Sequence, residues 1–336
     1  MNSSTSSSDT DPGWARSLIA CLGTLIGGAL LILALMVVVD PYDSGKLGLL
    51  GIAGVESRST QFTAASRARD PDFNAAIFGN STAQMIEPAE LSRATGLRFV
   101  QLYMTGANPR EQLAVLDFFL RHHNEVGALV FAADPAWCVH ERPKEEGAPF
   151  PYWVYDRGIV TYAIRLISWP AIEQVFQRLG IGLGWRQRMR RDGFVSYEDI
   201  WPPGRFNAVN RPRDPAAAAT AAARDVFSEV AALHAVIRKL PADVPVVIVV
   251  PPTFAPTVAK PGTDAALERG ACDAALRKVV AGRPRSNFIN YRVDNAMTRD
   301  QANFADLIHY RASLARRIEE GIVASLKFGE QARIDF

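Results

Sequence analysis

The sequence predicts an α/β protein: a five-stranded parallel sheet in a three-layer α/β/α arrangement, preceded by one transmembrane helix. Three observations carry that expectation. Short apolar runs alternate with helical stretches in strand-helix-strand order. Those runs are apolar on both faces, as strands of a parallel sheet covered by helices must be. A 22-residue stretch without a charge, Leu18 to Val39, stands near the N-terminus.

The chain has 336 residues, 48% of them hydrophobic, enough for a substantial core in one large domain or two small ones. Net charge is +2 with acids and bases nearly balanced, so nothing global favours nucleic acid as a partner. Cys21, Cys138 and Cys272 are too few and too scattered for a disulfide framework or a thiolate metal site. If the domain lies outside the cytoplasm, the alternatives for Cys138 and Cys272 are a disulfide or, at least as readily, two lone buried thiols.

Residues 1–17 read as a disordered tail, because a Ser, Thr and Asp run cannot bury enough apolar surface to order itself. Residues 18–39 then span roughly 33 Å as a helix, close to the hydrocarbon thickness of a bilayer. A cleaved signal peptide is the rival, with a shorter apolar region behind several positive charges. Only Arg16 precedes this run and Asp40-Pro41-Tyr42-Asp43 follows it, so an uncleaved anchor is expected. Arg16 on one side and Lys46 and Arg58 on the other leave orientation undecided by charge. Residues 40–72 form a juxtamembrane segment, helical around Gln61 to Arg69.

Residues 73–336 carry the α/β pattern. Strands are expected at Phe73 to Phe78, Arg98 to Tyr103, Gly127 to Ala132, Val244 to Val250 and Asn287 to Asn290. Pro88 opens a helix that Gly96 ends, and Asn108-Pro109-Arg110-Glu111 has the form of a capping box opening a helix to about His122. Ala216 to Leu240 and Asp264 to Val280 read as helices. Tyr310 to Leu326 closes the chain as an amphipathic helix whose solvated side is Arg311, Arg316, Arg317, Glu319 and Glu320. An insertion at about 135–215 carries Trp137, Trp153, Trp169, Trp185 and Trp201, expected to pack a subdomain over the sheet. Its basic stretch Trp185 to Arg191 reads as a solvated helix face, or as a surface for an anionic polymer or lipid headgroups.

Sites in parallel α/β sheets form beyond the carboxyl ends of the strands, where Ser81, Gly106, Asn108, Asp134 and Pro251-Pro252 all fall. Ser81, in the turn Gly79-Asn80-Ser81, is the candidate nucleophile: its hydroxyl is lifted out of the sheet beside helix amides. A serine hydroxyl needs a base within reach, itself oriented by a third group. His122 and His123 end a helix and suit the surface. His234 lies inside a helix, and His140 beside Cys138 makes too small a ligand set for a metal. His309 stands apart, because Asp306 three residues earlier can orient its ring and leave the other nitrogen free to take the Ser81 proton.

A strand-turn serine early in the domain, five strands in βαβ order and Asp306-Leu307-Ile308-His309 before the last helix together resemble the SGNH (GDSL-like) hydrolase superfamily. The likeness extends to its membrane-anchored extracytoplasmic branch of alginate O-acetyltransferase and D-alanyl transfer proteins, and covers roughly Phe73 to Leu326. It implies an SGNH/flavodoxin-like fold, Ser81 as nucleophile, His309 and Asp306 as base and orienter, and the Gly106 amide in the oxyanion hole. The usual third block, G-x-N-D, is absent: Ala132-Ala133-Asp134-Pro135 offers no Asn, so Asn108 or Asn80 is expected to substitute. The implied activity is acyl transfer or ester hydrolysis, most simply of acetyl groups, on a cell-surface polysaccharide or other acylated glycan, with no metal or organic cofactor. The implied place is the inner membrane, single-pass, with the domain on the periplasmic side and a multi-spanning membrane acyltransferase as a further partner. The missing Asn leaves open a non-catalytic component that binds polysaccharide or scaffolds such an acyltransferase.

Overall fold

The 22 uncharged residues belong to one long helix, α1 (Pro12–Val39), in the computed structural model, which describes residues 12–52, 54–55, 59–139, 149–208 and 227–332. The helix starts about one and a half turns before the expected anchor, so residues 12–17 are not part of a tail; residues 1–11 lie outside the described residues. It is long and apolar enough to cross a membrane. Its C-terminal end enters the protein core, through Met36 and Val39 with Leu35 packed against them.

The elements that follow are α2 (Thr60–Ala68), β1 (Ala75–Gly79), α3 (Pro88–Thr95), β2 (Phe99–Tyr103), α4 (Pro109–His122) and β3 (Ala128–Ala132). The insertion contributes α5 (Tyr152–Tyr155), α6 (Ile159–Leu166) and α7 (Trp169–Gly182). Then come α8 (Ser228–Ile237), β4 (Val246–Val250), α9 (Asp264–Val280), β5 (Asn287–Asn290), α10 (Ala296–Arg299) and α11 (Ala312–Phe328). The five strands form one parallel sheet in the order β2-β1-β3-β4-β5, each within two residues of its expected bounds. Every described strand residue but Asn290 is buried, which is why the runs lack polar alternation.

Alternate residues feed two cores. Ala76, Phe78, Leu102, Phe131 and Ile248 face a layer with α2, α4, α8 and α9. Ile77, Phe99, Val130, Val249 and Ile289 face α3 and α11. This order reverses direction between β1 and β3, and ligands of such sheets bind at that switch point, beyond the strand ends. Cys138, just after β3, is disulfide-bonded to Cys272 in α9, which resolves the two alternatives for these residues.

Several expectations are corrected. The expected helix at Ala216 to Leu240 is described only from Ser228 to Ile237; residues 216–226, like His140, lie outside the described residues. His123 is buried rather than at the surface, its Nε2 2.9 Å from the Ala68 carbonyl oxygen. Arg311 and Glu319 are buried, not solvated, because their partners come from remote segments that helical periodicity does not report. The tryptophans do not share one role. Trp137 is buried and Trp153 packs against the core, whereas Trp169 and Trp185 are 75% and 80% exposed. Trp185 to Arg191 is not a helix, since α7 ends at Gly182 and glycine follows at position 184. Beyond it the insertion runs beside β2, the outermost strand, where the Gln101 amide donates to the Asp192 carbonyl at 2.7 Å.

Candidate active site

The chain leaves β1 through Gly79 and enters a single 3-10 turn, Ser81–Ala83. Asn80 caps that turn: its Oδ1 accepts from the Thr82 amide at 3.0 Å and from the Thr82 hydroxyl at 2.9 Å. Below it, the buried Gln101 side chain on β2 donates to the carbonyls of Ala83 at 2.8 Å and Ile86 at 3.0 Å. A buried amide with two backbone acceptors is costly to misplace, so the turn is held from both ends.

His309 arrives from a loop between α10 and α11 that is also tightly fixed. Asp306 Oδ1 accepts from the Ile308 and His309 amides, both at 2.8 Å, and its Oδ2 lies 2.6 Å from His309 Nδ1. An ionised carboxylate can only accept, so the imidazole proton sits on Nδ1 and the Nε2 lone pair is free. Nε2 lies 2.8 Å from Ser81 Oγ. Asp306 and His309 are buried and Ser81 is half-buried, so the hydroxyl stands at the open end of the chain of bonds.

Ser81 and His309 border a cleft of about 690 Å³ that also touches Asn80, Gly106, Asp134, Pro251, Pro252 and Arg292. Each strand end therefore supplies a wall, as the strand-end rule requires. The amides of Ser81 and Gly106 donate to no protein acceptor among the described residues, which leaves both available for a developing oxyanion. Gly106 has φ +70, and a Cβ built on it would meet nothing within 4 Å, so the wall beside it is open.

Two of the expected oxyanion donors are not brought to that role. Asn108 spends its side-chain oxygen capping α4, accepting from Arg110 and Glu111 amides at 3.0 and 3.2 Å, and it is not part of the cleft lining. Asn80 does line the cleft, but its Nδ2 donates to Asp134 Oδ2 at 2.7 Å. Asp134 itself stands at the end of β3, where the third block would have supplied a donor.

The insertion supplies residues that the sequence pattern missed. Tyr197 packs edge-on against the His309 ring at 5.6 Å between centroids, and Trp201 lies on it at 5.7 Å. Burial pushes the Tyr197 phenol well above its ordinary range, so it stays neutral and donates to the Tyr310 carbonyl. Buried Arg311 ties that arm to the loop that carries His309, donating to the carbonyls of Trp201, Pro202, Arg205 and Phe304. No periodic signal marks these aromatics. Arg292, two residues past β5, was open to the same strand-end rule that found Pro251.

Comparison with known proteins returned no match: no protein family, no curated protein and no solved structure.

Proposed function

We propose that the chain is a membrane-anchored SGNH-like acyltransferase or esterase that adds or removes an acyl group, most simply acetyl, on a cell-surface polysaccharide. The observation that carries this reading is the chain of hydrogen bonds Ser81, His309, Asp306 at the open cleft, with 2.8 and 2.6 Å separations. Ser81 Oγ attacks the ester carbonyl carbon while His309 Nε2 takes its proton. The carbonyl electron pair moves to oxygen, which accepts from the Ser81 and Gly106 amides. Collapse expels the alcohol, to which His309 returns the proton, leaving acyl-Ser81. A sugar hydroxyl or water then repeats the sequence on that ester, giving transfer or hydrolysis. None of these steps calls for a metal or organic cofactor.

The apolar length of α1 supports a single-pass inner-membrane anchor, and the Cys138–Cys272 disulfide supports an oxidising, periplasmic side for the domain. A multi-spanning membrane acyltransferase would be the donor for the transfer reaction. A second reading, a non-catalytic polysaccharide-binding or scaffold component, is favoured by one observation: Asn108 is not in the cleft lining and the Asn80 amide donates to Asp134, so neither stands in for the missing third-block Asn. Removing one oxyanion donor costs about 2.7 to 4 kcal/mol in other hydrolases. A serine-reactive fluorophosphonate probe separates the two readings. Labelling of the wild-type chain that disappears in Ser81→Ala supports the enzyme. No labelling, under conditions that label a known esterase, favours the binder.

A further inference from the structure

Helices α6 and α7 turn an apolar face outward. Ile164, Ile167, Trp169, Phe176 and Trp185, on these helices and the turns that flank them, are between 61% and 80% exposed. Their inner faces, through Tyr162, Leu166, Ala171 and Val175, are already packed in the core, so the outward residues are surplus to folding. Five large apolar side chains exposed over one pair of consecutive helices and their flanking turns point to an interaction surface, unlike single apolar residues scattered over a molecule.

The same pair of helices is fastened to the end of α1. Buried Arg178 of α7 donates to the carbonyls of Val39, Asp40 and Ile52 and to Asp43 Oδ1 at 3.0 Å. The Tyr162 hydroxyl of α6 donates to Asp40 Oδ1. The exposed apolar side of α1, with Leu30, Leu31 and Val37, therefore continues into a second apolar face at the helix's own exit. Arg157, Arg165 and Arg188 are exposed around that face and make no ion pair among the described residues; Glu173 is the sole acid of the two helices.

We infer that the α6–α7 face is a second membrane contact, lying in the headgroup boundary of an anionic bilayer beside α1. The inference rests on α1 crossing that bilayer. Tryptophan rings suit the membrane–water boundary, and arginines meet anionic headgroups there. Met189, four residues beyond Trp185, lines the catalytic cleft, so an extended chain spans at most about 14 Å between the contact and the cleft wall. The domain is thus held by two contacts rather than swinging on one.

Site-directed spin labelling of the full-length chain tests this. Single nitroxides at Ile164→Cys, Phe176→Cys or Trp185→Cys, in a Cys21→Ser background, are placed in vesicles of phosphatidylethanolamine and phosphatidylglycerol. The expected result is greater relaxation by oxygen than by a water-soluble nickel chelate, as for a label at Leu25→Cys in α1 and opposite to one at Glu320→Cys in α11. Aqueous ordering at the three sites with lipid ordering at Leu25 overturns the second contact and leaves the anchor intact. Aqueous ordering at Leu25 as well overturns the anchor reading. Protection from both relaxants assigns the face to a protein partner and overturns the bilayer assignment. A readout without labels is quenching by lipids brominated near the headgroup, which should fall in the Trp169→Phe, Trp185→Phe double variant; unchanged quenching overturns the inference.

Discussion

A Cβ built on Gly79 would lie 2.6 Å from the Ala83 Cβ and 3.1 Å from that of Ala132, closer than side chains tolerate. The turn that presents Ser81 folds back so tightly on the end of β1 that hydrogen is the only side chain with room. Gly79→Ala must push the Ser81 turn outward, and misplacement by about 1 Å costs on the order of 10²-fold in rate. Fluorophosphonate labelling of this variant should slow by that order. Wild-type labelling would mean that the turn can shift without moving the hydroxyl.

Asp306→Asn keeps an oxygen for the Ile308 and His309 amides but replaces the acceptor at Nδ1. With an amide donor there, the ring takes the other tautomer and Nε2 can no longer accept from Ser81. A loss of about 10⁴-fold in esterase turnover on a short-chain p-nitrophenyl ester is expected, as when the same tautomer error is introduced in other triads. His309→Ala should abolish turnover while leaving the thermal midpoint near wild type; unchanged turnover would remove His309 from the mechanism.

Arg178 is expected to matter for stability rather than chemistry. Burial alone pushes Asp43 up, yet Arg178 and Arg69 bring it below the ordinary carboxylate range. Arg178→Met leaves that carboxylate short of a partner and the last carbonyls of α1 uncapped. Breaking a buried pair from one side costs about 3 to 5 kcal/mol. Denaturant midpoints in detergent should show a loss of that size.

Glu319 gives a pH dependence of known sign. Burial pushes its carboxyl up to about 8, against the opposing pull of the Glu87 amide at 2.7 Å and of Arg316. Arg316 is itself more than a third exposed, so solvent screens its attraction and burial prevails. The folded chain thus holds a proton that the unfolded chain releases above its ordinary value of 4.5. The stabilisation is fully present below that value and is lost as pH rises through about 8. Between those limits the thermal midpoint of the wild type should fall relative to that of Glu319→Gln; parallel profiles would contradict the shift.

The sheet was legible because runs such as Val246 to Val250 are apolar on both faces, a pattern that a covered parallel strand requires. The hydrogen-bonded chain of Ser81, His309 and Asp306 was legible because Asp306 and His309 sit three residues apart and Ser81 follows a strand. Asn108 shows how a correct local reading misled: its capping box was recognised, and capping is what takes its side chain away from the cleft. Arg311 was read as solvated because helix periodicity reports a polar side without its partners. Those partners, such as the Trp201 carbonyl 110 residues away, are set by tertiary folding. Tyr197 and Trp201 were silent for the same reason.

The bond from the Gln101 amide to the Asp192 carbonyl gives the insertion a duty apart from any substrate. Lying beside β2, it occupies the Gln101 amide, an edge group that would otherwise offer a docking point to another strand. Trimming residues 135–215 to obtain a minimal catalytic domain would uncover that border, and the shortened protein should self-associate or precipitate before any change in selectivity could be measured.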